Sequence, residues 1–263
     1  YANSFNFGYQ TISGPSYVDY GLIQLSTTDG STGYAKNYTI NPVKGLCADD
    51  YGFIYVPETK NTSSSVVIHK YDPTGLEVKS RTISNPFTFE RMKFKNDRIY
   101  ASGFHTGAVT VDGFPLGTGG PLPYISAMDT GLAYHYLKPT EWGGAPYDLD
   151  VDNDNYMTIA AATASAINFN NGVMMQPLGY PNGDGFIVQY DPAGNLWNED
   201  RAYFFNTGDD AIQGIAAKDR YHVYTGGYFK GDIQCGNTPL YNPTANNYNA
   251  LLMKTSLPSP TPT

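Results

Sequence analysis

Glutamate is nearly missing from this chain: of its 24 acidic residues, 5 are Glu and 19 are Asp. Charged residues make up only 15% of the sequence, against roughly 25% in an average soluble protein. Asp forms turns readily and helices poorly, so this balance excludes a helical bundle or coiled coil. Clustered basic residues are missing as well. With 16 Lys and Arg and a net charge of −8, no patch can neutralise a run of phosphates, which excludes nucleic acid as a partner. Long apolar runs are also lacking. The longest weakly polar stretch, 157–169, contains Thr and Ser and is too short to cross a bilayer, so no membrane span is expected. Cysteine is limited to Cys47 and Cys235. A chain of 263 residues can bury an adequate core without a staple, so buried free thiols are expected. A bridge between the two is the alternative, which spacing alone does not decide.

What the chain has in quantity is 23 Tyr, 28 Gly and 18 Pro. Two sequons, at Asn37 (Asn37-Tyr38-Thr39) and Asn61 (Asn61-Thr62-Ser63), fall in polar stretches and mark candidate glycosylation sites. The first residues, Tyr1-Ala2-Asn3-Ser4, have neither the basic region nor the apolar core of a leader, so the chain is expected to start past a processing site. Residues 256–263 form a Pro/Thr/Ser tract of the kind that stays extended and acts as a linker or stalk. Together these features predict an extracellular or cell-surface protein with one domain over 1–255 and a stalk over 256–263.

Within that domain one turn recurs. Asp72-Pro73-Thr74-Gly75 and Asp191-Pro192-Ala193-Gly194-Asn195 have weaker copies at Asp129-Thr130-Gly131 and Thr28-Asp29-Gly30. Asp accepts hydrogen bonds from its own turn, Pro presets φ and Gly takes positive φ. Each copy follows an apolar strand, at 20–25, 66–71, 124–128 and 186–190, and a fifth such strand spans 249–254. Each strand is preceded by another recurring piece (apolar strand, Asp/Asn turn, aromatic strand) at 45–55, 91–100, 147–157 and 214–224. Three of these pieces lead into a small-residue bend, at 103–107, 162–166 and 227–231. The Asp-Gly turns lie 43, 57 and 62 residues apart, a spacing that suits a blade of four antiparallel strands. The expected fold is therefore all-β, a β-propeller of four-stranded antiparallel blades. A β-sandwich of short strands is the competing architecture, but it gives no reason for whole units to recur in the same order.

The segments 49–55 (Asp-Asp-Tyr-Gly-Phe-Ile-Tyr), 224–231 (Tyr-Thr-Gly-Gly-Tyr-Phe-Lys-Gly) and 185–197, which contains Asp-Pro-Ala-Gly-Asn and Trp197, resemble the SBBP-type β-propeller repeat. The likeness is degenerate and spans about 39–255, strongest between Gly183 and Gly236. Its motifs are structural. The resemblance implies an extracellular module and supplies no catalytic residues to carry over. Only four opening hairpins are visible, and residues 1–39 have later-strand features without one. Terminal strands completing one another's blade would close a ring of four or five blades, with five favoured; a portion of a longer propeller is the alternative.

Chemical signatures are sparse. The run Asp148, Asp150, Asp152, Asn153, Asp154, Asn155 alternates oxygens as a calcium loop does, which makes Asp150, Asp152 and Asp154 the one calcium candidate. It lacks the Gly and late Glu of an EF-hand and aligns with hairpin turns, so a solvated turn is the preferred reading. No other cofactor is expected. His69, His105, His135 and His222 show no metal-ligand spacing. No nucleophile elbow, zinc-protease or phosphate-loop motif occurs, and Ser26–Gly30 departs from the sialidase Asp-box. A pair such as Glu141 with Asp148 could serve glycosidic cleavage, but the abundance of Asp makes such pairs easy to find. The expectation is therefore a non-enzymatic surface module for adhesion or assembly, contacting other surface proteins or copies of itself. A carbohydrate-binding propeller is the alternative, with Tyr124, Trp142, Tyr180 and Tyr241 as stacking platforms. A glycan-active hydrolase or lyase ranks third.

Overall fold

The computed structural model describes residues 4–7, 10–13, 20–25, 28–29, 32–38, 44–60, 65–84, 86–140, 142–163, 166–168, 174–175, 184–197, 210–235, 238–242 and 247–256. All regular structure among them is β, and every strand pairing is antiparallel. Among the described residues no helix is long and apolar enough to cross a membrane. The chain divides into two units, Tyr1–Phe89 and Glu90–Thr263.

In the first unit, β1 (Ser4–Phe7) pairs with β2 (Gln10–Ser13), and β3 (Tyr20–Leu25) with β4 (Thr32–Tyr38). A four-stranded sheet follows in chain order: β5 (Cys47–Ala48), β6 (Ile54–Lys60), β7 (Ser65–Tyr71) and β8 (Glu77–Ser84). The run Val66-Val67-Ile68 is buried, and β-branched residues suit a pleated strand packed on its faces.

Across the division runs β9 (Phe87–Lys95). It opens a second four-stranded sheet with β10 (Arg98–His105), β13 (Leu122–Asp129) and β14 (Tyr134–Pro139), in the order β14-β13-β10-β9. The hairpin of β11 (Thr110–Val111) and β12 (Phe114–Pro115) interrupts it between the second and third strands. The next sheet has β15 (Ala145–Val151), β16 (Met157–Thr163) and β19 (Asp184–Tyr190), with β17 (Ile167–Asn168) and β18 (Met174–Met175) as its excursion. The last has β20 (Ala211–Asp219), β21 (His222–Lys230) and β24 (Tyr248–Ser256), with β22 (Ile233–Cys235) and β23 (Thr238–Leu240). The unit expected from the repeats is thus observed: strand, hairpin, strand, excursion, strand, Asp turn, strand. A fourth strand is present in the sheets ending at β8 and β14. After β19 it is reduced to one bridge, Tyr190 to Leu196. After β24 none is found among the described residues.

The turn is the same object in five places. At Asp49, Asp72, Asp129, Asp152 and Asp191 the Asp N–H donates to the carbonyl four residues on, and the N–H three residues on donates back to the Asp carbonyl. The residue at that third position has positive φ in all five: Gly52, Gly75, Leu132, Asn155 and Gly194. This is a type I turn closed by a left-handed residue, which matches the twist of a hairpin. The carboxylate secures it. Oδ1 of Asp72 accepts from the N–H of Thr74 and Leu76, and Oδ1 of Asp191 from those of Ala193 and Asn195. Asp49 and Asp152 do likewise for Tyr51 and Phe53 and for Asp154 and Tyr156.

The core of the second unit lies between consecutive sheets. Tyr100, Ile125 and Tyr136 of one sheet pack with Ile159, Phe186 and Val188 of the next and with Trp142. Ala160 and Ile187 on that sheet's other face meet Ile212, Phe229, Ile233 and Leu251. One turn glycine is tied to this packing: a Cβ on Gly194, at φ +73, would lie 2.7 Å from the Tyr136 ring. Gly113, at φ +82, has open space around the same position. Gly194→Ala is therefore expected to cost more than about 2 kcal/mol, from backbone strain and overpacking together, and Gly113→Ala about 1 kcal/mol from strain alone. Equal losses in chemical denaturation would show that the Tyr136 contact contributes nothing.

Candidate functional site

The acidic run singled out in the sequence lies on β15 and its hairpin, the first strand of its sheet, and it fastens neighbouring first strands together. Asp148 Oδ2 accepts from the Ile215 N–H at 2.9 Å and Asp150 Oδ2 from the Ala217 N–H at 2.8 Å, both on β20. On the opposite side, Lys93 of β9 places Nζ 3.0 Å from Asp150 Oδ1. The alternation Asp148-Leu149-Asp150-Val151 explains this. Leu149 and Val151 are buried in the core, so a strand's period of two turns both carboxylates to the other face.

The hairpin beyond β15 is equally engaged. Asn96 Nδ2 donates to the Asn153 carbonyl and to Asn155 Oδ1, each at 3.0 Å, and the Tyr100 hydroxyl also donates to Asn155 Oδ1. Arg220 pairs with Asp154 at 3.5 Å and stacks over the Tyr156 and Tyr221 rings at 5.1 and 5.2 Å. The calcium candidate is therefore corrected. Asp150, Asp152 and Asp154 serve three different partners, and no group of three or more His, Cys, Asp or Glu among the described residues could hold a metal ion. Asp152 is 2% exposed, and its Oδ2 has no hydrogen-bond partner among the described residues. Burial raises its carboxyl above the ordinary range, against the pull of the Tyr156 and Asp154 N–H bonds.

Two of the four proposed sugar platforms, Tyr124 and Trp142, are corrected as well. Tyr124 is fully buried on β13, and burial lifts its hydroxyl well above the usual value. Trp142 is 2% exposed. Its indole N–H donates to the Tyr190 hydroxyl at 2.8 Å, and its ring meets Phe186 edge-on at 5.4 Å. Although Gly143 and Gly144 follow Trp142 in the sequence, the residue belongs to the core between two sheets, so neither ring offers a face to a ligand. Tyr241 is 73% exposed. Tyr180, Glu141 and Asn61 lie outside the described residues. The backbone of Asn37 is in β4, but its side chain is not described. Cys47 is a buried free thiol, pushed up to about 12 by burial and then by the Asp49 carboxylate. The side chain of Cys235 lies outside the described residues.

The histidines do not converge. His69 sits between Glu58 and Glu77, each 2.9 Å from one ring nitrogen. His222 contacts Asp219 at 2.8 Å. His105 is fully buried on β10, and burial lowers its pKa. Sequence reasoning missed the Glu58–His69–Glu77 cluster because its members come from three strands. The strand-to-strand role of Asp148 and Asp150 was also missed, although its signal, two Asp alternating with apolar residues on a sheet's first strand, was present.

No family model matches the sequence, and no curated protein does. Among solved structures, hydrazine synthase of Kuenenia stuttgartiensis superposes over 90% of this chain with a TM-score of 0.52 and 13% identity. This chain spans 57% of that one, a little over half its length. An apocarotenoid oxygenase variant of Synechocystis (TM-score 0.42, 13% identity, 89% of this chain and 53% of that one) and the Dos1 propeller (TM-score 0.36, 9% identity, 78% and 70%) are more distant. At these identities the likeness is one of fold alone. The class is all-β, built from repeated antiparallel sheets. The expectation of a non-enzymatic protein is overturned on the same finding: the architecture is shared with an enzyme, so it gives no ground for excluding catalysis.

Two outcomes follow from the acidic run. Asp150→Ala is expected to cost about 1–3 kcal/mol, because it strands the Ala217 N–H, and Lys93→Ala less than about 1 kcal/mol, since that lysine is half exposed. Denaturant titration of both variants checks the order, and a larger loss at Lys93 would refute it. Asp152 acts through pH. A carboxyl raised in the folded state contributes stability that is full below the unfolded value and is lost as pH rises through the folded one. Asp152→Asn is therefore expected to be at least as stable as the parent at neutral pH. Its stability should also fall less on going from about pH 3 to pH 7. A steeper fall in the variant would reverse the assignment.

Proposed function

We propose that this chain is a degenerate SBBP-like propeller module of five blades, the first of them partial, that works outside the cell in adhesion or in assembly of a surface array. Its partners on this reading are other surface proteins or further copies of itself. The observation that carries it is a group of exposed apolar side chains on one sheet. On the last sheet, Leu252 is 86% exposed, Tyr248 57% and Tyr224 40%. In the preceding sheet, by contrast, every residue of β16 and β19 is buried. Exposed Tyr and Leu grouped on one sheet face favour protein contact over solvation. The two sequons and the Pro/Thr tract agree with an extracellular setting.

The carbohydrate alternative is weaker, since of its four platforms Tyr241 alone is described and exposed. Native mass measurement and electron microscopy of protein taken from its source test the proposal. Filaments, sheets or a larger glycosylated species are the expected result. A bare, monodisperse monomer would overturn the assembly reading.

A further inference from the structure

Building on the assembly reading, we propose that β24 is the joint: two copies of this chain pair along it edge to edge, antiparallel, about a two-fold axis at Leu252. The outer edges of the two four-stranded sheets are guarded. The outer strand β8 carries Glu77, Lys79 and Arg81, with a register break opposite it at Lys70/Tyr71. The outer strand β14 carries Lys138, ends on Pro139 and faces a break at Ala127/Met128. Charges, proline and bulges are the devices that stop an edge from recruiting another strand. β24 has almost none of them. Its nine residues pair with β21 in unbroken register, and they include no proline and one charge, Lys254. Its other edge has no neighbour among the described residues.

The occupant follows from the side chains. In an antiparallel pair centred on Leu252, Leu252 meets Leu252 of the second copy and Lys254 meets Ala250. No like charges are opposed, and the most exposed apolar side chain of the described set, at 86%, gains an apolar partner. On the other face of the strand, the Asn249 amide nitrogen and the Thr255 hydroxyl are buried without hydrogen-bond partners among the described residues. The same register sets Asn249 opposite Thr255 of the second copy, a donor facing an acceptor, twice by symmetry. An isologous contact of this kind closes on itself.

The test uses the full chain and charge swapping at Leu252, a surface position at which Leu252→Lys and Leu252→Glu should leave the far-UV circular dichroism spectrum unchanged. In sedimentation, the parent is expected to dimerise. Each variant alone should dissociate at least about tenfold more readily, and an equal mixture of the two should restore the dimer. Restoration by mixing cannot arise from a strand of the same chain folding onto β24. If the parent associates but both variants associate equally well, or mixing restores nothing, the joint is elsewhere and the assembly reading survives. If the dimer responds as expected but protein from the source forms nothing larger, the array reading fails while the joint stands. A parent that stays monomeric at every concentration overturns both.

Discussion

A single carboxylate closing a five-residue turn is the interaction on which the described architecture depends. It occurs at Asp49, Asp72, Asp129, Asp152 and Asp191 with the same pair of backbone hydrogen bonds and the same left-handed third residue. Two of these Asp open a sheet, between its first and second strands, and three stand between the third strand and the fourth or its remnant. In an antiparallel meander both positions lie at one end of the sheet. Gly52 and Pro73 show this directly, since a Cβ on Gly52 would be 3.3 Å from the Pro73 ring. The chemistry explains the composition: Asp can reach its own backbone two and four residues on, whereas Glu is one methylene too long to fit the turn as well.

The same residue type does a second job between sheets. Asp148 and Asp150 cap N–H groups on the neighbouring first strand, which a purely apolar inter-sheet contact would leave without acceptors. Asn96, Asn153 and Asn155 join the hairpin ends in a similar way. A run that looks like a cation loop when read along the chain becomes a set of separate struts in space. Alternating oxygens are needed both for a hard-cation loop and for a strand that fastens its neighbour, so the pattern does not distinguish them. Only convergence does.

The strand and turn pattern was legible because each element carries its own local cause. The apolar segments at 66–71, 124–128, 186–190 and 249–254 fall inside β7, β13, β19 and β24, bounded by Asp, Pro and Gly whose turn chemistry acts within a few residues. Asp152 was harder to place among these turns, because Asn155 takes the left-handed position that glycine holds after Asp49, Asp72 and Asp191. The site was less legible still. Trp142 beside two glycines looks free along the chain, yet it fills the space between two sheets and gives its indole proton to Tyr190, forty-eight residues away.

What the sequence determined by itself is the all-β class, the order of strands in the repeat and the chemistry of its turns, all set by interactions that span a few residues. Tertiary structure alone decided which aromatics are core and which are surface. It also decided which carboxylates bind a neighbouring strand. Strand alternation says only that two faces differ. Whether a given face is covered depends on the sheet that stacks against it, and that sheet comes from residues far away in the chain.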